Sequence, residues 1–138
     1  MKTDKEIKKL FKIIVIKPHI IKITFLKTSE KERENTRKTE LIRDKILAIL
    51  YKKPEIGFNI LMDLTPMGVK ATVSSGSKKI WKNLASNKQI KRISIVGDPE
   101  SQVQPLELTL HLVAYFLTKN KISWFTGYSE AKKWLNLK

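Results

Sequence analysis

The chain has no cysteine. That absence removes a disulfide framework and every thiolate-ligated zinc or iron–sulfur site. Histidine is nearly as scarce: His19 and His111 are the only two, and their separation makes a poor metal site. No Gly-x-Gly-x-x-Gly, Gly-x-Ser-x-Gly or Gly-Lys-Ser/Thr motif occurs, which argues against a common nucleotide enzyme or serine hydrolase. Long hydrophobic runs are missing too. The apolar stretch 13–26 is broken by Lys17, Pro18, His19 and Lys22, too short and interrupted for a membrane helix. Residues 1–10 are mostly charged and lack the small-residue cleavage site of a signal peptide. A cytoplasmic, non-enzymatic protein without cofactor or metal is the expectation.

What is present suits one domain. The chain has 138 residues, 41% of them hydrophobic, enough for a core. Its net charge is +15, from 28 Lys+Arg against 13 Asp+Glu. A field of that sign favours nucleic acid, acidic lipid headgroups or an acidic protein partner. The excess of Lys, Ile and Asn is also what an AT-biased genome produces without selection for binding. The basic pairs, Lys8-Lys9, Arg37-Lys38, Lys52-Lys53, Lys78-Lys79, Lys91-Arg92 and Lys132-Lys133, are scattered, unlike the concentrated face of a nucleic-acid binder.

Periodicity sets the element order. Residues 3–12 read either as a short amphipathic helix, with Ile7, Leu10 and Phe11 on one face, or as a ragged lead-in, a helical extension over 1–11. Two β-branched runs at 12–17 and 20–26 flank a turn at Pro18 and predict an antiparallel strand pair. Residues 28–40 are wholly polar. They read either as a loop or as the solvated start of a long helix, with Ser29 and Glu32 as a capping box. Leu41, Ile42, Ile46, Ile49 and Leu50 continue at helical spacing, and Pro54 stops the helix. Strands are expected at 58–64, 90–98 and 122–127. Between them lie helices carrying Ile80, Trp81, Leu84 and Ala85, and then Leu106, Leu110, Val113, Ala114 and Leu117. Ser129 reads as the N-cap of a last helix that docks Trp134 and Leu135. Single helices between strands imply parallel neighbours and right-handed crossovers, with helices over both faces of a mixed sheet.

Several segments in this order resemble the bacterial SpoIIAA-like (STAS, or STAS/SEC14-type) family. They are Leu61-Met62-Asp63-Leu64-Thr65, Ile93-Ser94-Ile95-Val96-Gly97-Asp98, and Ile122-Ser123-Trp124-Phe125 followed by Glu130-Ala131-Lys132-Lys133-Trp134-Leu135. The resemblance spans roughly 60–135. It implies a mixed sheet flanked by helices and a regulatory or binding role. It also implies a phosphoacceptor in an Asp-Ser-Ser-Gly segment that starts a helix. This chain reads Val73-Ser74-Ser75-Gly76 there, without the aspartate.

Two groups of residues are candidate sites. Ser74, Ser75, Gly76 and Ser77 precede a helix whose free N–H groups favour an anion or a phosphoserine, with Lys78 and Lys79 nearby. The plainer role is an N-cap. Asp63 and Thr65 end one strand, Gly97 and Asp98 the next, so a carboxylate crevice is conceivable. The plainer role is satisfaction of loop N–H groups. The aromatics Trp81, Tyr115, Phe116, Trp124, Phe125 and Trp134 read as core, or as a lipid or base-stacking pocket. The leading expectation is a regulatory or binding domain that contacts a protein partner or a small apolar or anionic ligand near Ser74, with homodimerisation open. Nucleic-acid or acidic-membrane binding and an enzyme built on Asp63 and Asp98 are the alternatives.

Overall fold

The computed structural model describes residues 2–29, 31–67, 71–116 and 121–136. Its centre is a five-stranded sheet in the order β1-β2-β3-β4-β5. Strand β1 (Phe11–Ile16) runs antiparallel to β2 (Ile20–Phe25), and β3 (Phe58–Asp63), β4 (Ile90–Val96) and β5 (Ile122–Phe125) follow in parallel. The expected N-terminal strand pair is present. The mixed α/β architecture is consistent with a SpoIIAA-like fold.

Each parallel strand is added beside the previous one, so the sheet never reverses direction. Crossovers of one hand then put every crossover helix on the same face. Helices α2 (Glu32–Lys52), α3 (Ser75–Ala85) and α4 (Val103–Tyr115) accordingly share one core with Ile21, Ile23, Ile60, Ile93, Ile95 and Ile122. The opposite face holds a smaller core of Ile20, Leu61 and Val96 under Ala131 and Leu135 of α5 (Tyr128–Leu135). Both faces are covered as expected, but unequally. The two alternating sets follow from the period of two along a strand.

Helix α5 docks through its C-terminal end. Asn59 Nδ2 donates to Leu135 O at 2.9 Å, and Arg92 Nη1 donates to Trp134 O at 2.7 Å. These donors satisfy last-turn carbonyls, where a cation is also favoured by the helix dipole. The helix starts after Gly127, so Ser129 lies inside it rather than at its N-cap.

The N-terminal segment is helical over residues 4–10, and β1 begins at Phe11. Helix α1 (Asp4–Ile7), capped by a Thr3–Glu6 box, and the 3₁₀ turn after it bury Ile7 and Leu10. The Arg37 guanidinium clamps Asp4 at 2.8 and 3.0 Å. The polar stretch before Leu41 is helical from Glu32, so the capping box expected of Ser29 and Glu32 does not form; Lys31 holds the N-cap position. Nor is that stretch solvated on all sides, since Glu34, Asn35, Lys38 and Thr39 are buried.

Helix α4 is rotated relative to the sequence expectation. Gln102, Pro105, Thr109, Leu112 and Phe116 face inward, whereas Leu110 and Ala114 face solvent; Leu117 lies outside the described residues. The helix is apolar on nearly all sides, so periodicity could not choose the face. Leu112→Ala should therefore lower unfolding free energy by about 2–4 kcal/mol. Leu110→Ala should change it by about 0.5 kcal/mol or less. Urea denaturation of the two variants distinguishes this face from the reverse orientation.

Candidate functional site

The N-terminal half of α2 and the segment leading into α3 are joined by a buried polar seam. Asn35 is its centre. Its Nδ2 donates to Ser29 O at 3.1 Å and to Thr72 O at 2.8 Å. Its Oδ1 accepts from Ser74 N at 2.9 Å and from Ser77 Oγ at 2.8 Å. Around it runs a chain of hydroxyls. Thr36 and Ser74 lie 2.7 Å apart, Ser74 and Ser77 2.9 Å, and Ser77 and Thr39 2.6 Å. Thr39 Oγ1 also donates to Asn35 O. A Cβ on Gly76 would meet the Thr36 side chain at 2.6 Å, so this close helix approach depends on glycine.

The four residues expected near an anion or phosphate divide accordingly. Ser74 is the N-cap of α3, its Oγ accepting from Ser77 N at 3.1 Å. Ser74 and Ser77 are 4% and 1% exposed, and their hydroxyls belong to the seam. Only Ser75 presents its side chain to solvent, and its N–H donates to Glu32 Oε1 at 3.1 Å.

Asp63 and Asp98 leave the same sheet edge, since Asp63 pairs with Val96. Each carboxylate is engaged by its own loop. Asp63 Oδ1 accepts from Thr65 N at 3.0 Å and Thr65 Oγ1 at 2.6 Å. Asp98 accepts from Ser101 Oγ at 2.7 Å and Glu100 N at 3.1 Å. The Ser101 bond, then the Glu100 bond, hold the Asp98 carboxyl below its ordinary range. Buried Gln102 joins the two loops, with Nε2 donating to Leu64 O at 2.6 Å and Oε1 accepting from Asp98 N at 3.0 Å. Gly97 must lack a side chain because Gln102 and Trp124 crowd its Cβ position. The unreversed strand order also lacks the switch point at which open sheets usually form a ligand crevice.

The geometry builds a different site. A cavity of about 60 Å³ lies between the helix-bearing sheet face and α2, α3 and α4. Phe25, Met62, Leu64, Trp81, Ile93, Ile95, Leu108 and Leu112 give it apolar walls, and Asn35, Thr39, Ser77 and Thr109 edge it with the seam. Met62, Met67, Thr72, Val73 and Leu108 of its lining are half-buried. Lys38 also lines it.

Lys38 is 4% exposed, and its Nζ lies 5.7 Å from the centroid of the Phe25 ring. No carboxylate or hydrogen-bond acceptor engages it among the described residues. Glu34, one turn earlier, is held by Lys2 instead, through Lys2 N at 2.8 Å and Lys2 Nζ at 3.6 Å. Burial alone pushes the Lys38 ammonium down from 10.5 to about 8. The sequence carried a signal for this residue, because Lys38 precedes Ile42 and Ile46 by steps of four and so shares their face.

Other expected features lie elsewhere. His19 and His111 are exposed on separate elements, and no three potential metal ligands cluster among the described residues. Lys78, Lys79 and Lys82 border an exposed groove with Glu107 and His111. Of the aromatics, Trp81 lines the cavity and Phe116 is in the core, Phe125 of β5 and Trp134 of α5 pack against the smaller core, and Tyr115 is 60% exposed rather than core. No helix among the described residues is long and apolar enough to cross a membrane. No family model matches the chain, and no curated protein or solved structure matches it.

The buried lysine has a thermodynamic signature. Its folded form deprotonates near 8 and its unfolded form near 10.5, so between those values the unfolded state binds more protons and stability rises with pH. Below about 8 the full penalty is present, on the order of 3 kcal/mol. Lys38→Met should raise stability by about 1–3 kcal/mol at pH 7. The advantage should shrink from pH 8 to pH 10.5, as read by urea denaturation across that range. Asn35→Ala should cost at least about 2 kcal/mol by stranding several partners.

Proposed function

We propose that this chain is a non-enzymatic binding domain of the SpoIIAA-like kind, with its ligand held in the cavity between the sheet and α2, α3 and α4. The observation that carries this reading is an apolar cavity containing one buried, unpaired cation. Pockets for small molecules combine apolar walls with a few convergent polar groups, and a perturbed ionisable residue in a cleft is a mark of function. Val73 and Ser77, beside Ser74 at the start of α3, line the cavity, which supports a ligand near that helix start. Asp63 and Asp98, held by their own loops, favour binding over acid–base chemistry at the sheet edge. A phosphoswitch rests on Ser75 alone, because modification of Ser74 or Ser77 would require opening the seam.

The reading is tested with neutral probes small enough for the cavity. Xenon and 1-propanol should shift the methyl resonances of Met62, Ile93 and Ile95 in the full chain, saturably and ahead of methyls outside the cavity. Unmoved cavity methyls at saturating probe would sink it.

A further inference from the structure

The geometry points to a short-chain aliphatic carboxylate as the cavity's ligand, its carboxylate paired with the Lys38 ammonium and its chain against the apolar wall. This inference rests on the binding reading above and names the class of ligand.

A count of donors comes first. The hydroxyls of Ser77 and Thr39 and the amide of Asn35 are engaged within the seam. Thr109 Oγ1 donates to Pro105 O at 2.8 Å. An ammonium has three donors and no acceptor, and among the described lining residues the Lys38 ammonium and the Trp81 indole N–H are the side-chain donors that no partner takes up, Lys38 alone with a charge. A polar end of a ligand must therefore accept, from Lys38 or from the Trp81 indole, and an anionic end is drawn to Lys38.

Charge narrows the class further. Among the described residues, β2, β3, β4, β5, α3 and α4 bring no ionisable side chain to the cavity wall. On α2, Glu34 is held by Lys2, and Arg37 by Asp4 and Glu40. The lysines of α3, with Glu107 and His111 of α4, border the separate exposed groove. Lys38 thus brings one positive charge without a counter-charge. A buried cation is costly until paired. A monoanion completes it, a neutral ligand leaves it unpaired, and a dianion such as phosphate introduces a second uncompensated charge.

Volume sets the length of the chain. An apolar cavity of ~150 Å³ admits benzene, and this one is about 60 Å³. Acetate and propionate, with fewer heavy atoms than benzene, suit the smaller space, and butyrate, with as many, marks its upper limit. Lys38 deprotonates near 8, so binding should be strongest below that pH and weaken above it.

The test titrates acetate, propionate, butyrate and neutral butanamide into the full chain and into Lys38→Met, following the Met62, Ile93 and Ile95 methyls at pH 7 and pH 9. Propionate or butyrate is expected to bind at least about tenfold more tightly than butanamide. That binding should weaken by about tenfold between pH 7 and pH 9. Lys38→Met, expected to be at least as stable as the parent, should lose the preference for the anion while keeping the response to butanamide. Two results overturn the inference and leave the cavity reading standing. One is butyrate binding no better than butanamide; the other is an anion preference that survives Lys38→Met. If xenon, propanol and every titrant leave these methyls unmoved, the cavity reading falls as well.

Discussion

Asn35 is the side chain on which the arrangement of the helices depends. A single amide, 3% exposed, accepts from the backbone of Ser74 and the hydroxyl of Ser77, and donates to the carbonyls of Ser29 and Thr72. It therefore ties together the entry to α2, the approach to α3, and α3 itself. Two helices packed by a polar seam need every donor and acceptor placed, because a half-satisfied buried network is worse than an apolar one. The four bonds of the Asn35 amide fix the register of α2 against α3 more narrowly than aliphatic packing would. The cavity exists because that register holds the helices' N-terminal halves at a set distance from the sheet.

The neighbouring Phe25 ring also bears on the tolerance of Lys38. A buried ammonium is a liability of several kcal/mol in an arbitrary core. Here the Phe25 ring, its centroid 5.7 Å from the ammonium, offsets part of that cost. The lysine sits at the boundary between the polar half of α2 and its aliphatic half, where Ile42, Ile46 and Leu50 take over the same face. One helix face thus changes from hydrogen bonding to hydrophobic packing along its length, and its buried lysine falls at the change.

The sheet was legible in the sequence because alternation and β-branched runs specify strands directly, as in Ile21, Ile23 and Phe25 or Ile93 and Ile95. Helix α3 was legible because Ile80, Trp81, Leu84 and Ala85 mark one narrow stripe. The interior role of residues 34–39 was not. Polar side chains read as solvated, and a seam in which threonine meets serine has no signature until both strands of it are brought together in space. The face of α4 was hidden for the opposite reason: Leu106, Leu110 and Val113 offer as much apolar surface as Leu112 and Phe116. For the site, the start of α3 was visible through Ser74 and Gly76. Lys38 was obscured by the many other lysines, and only its phase with Ile42 and Ile46 separates it from them.

The unreversed order of the strands has a consequence for how the chain assembles. Every strand pairs only with its neighbours in sequence, so no strand must wait for a distant segment before it finds an edge to join. Loop closure at each step is short, and topologies rich in near-sequence contacts fold faster than those that insert strands between earlier ones. A chain emerging from its N-terminus can extend the sheet one strand at a time, each new edge serving as the template for the next.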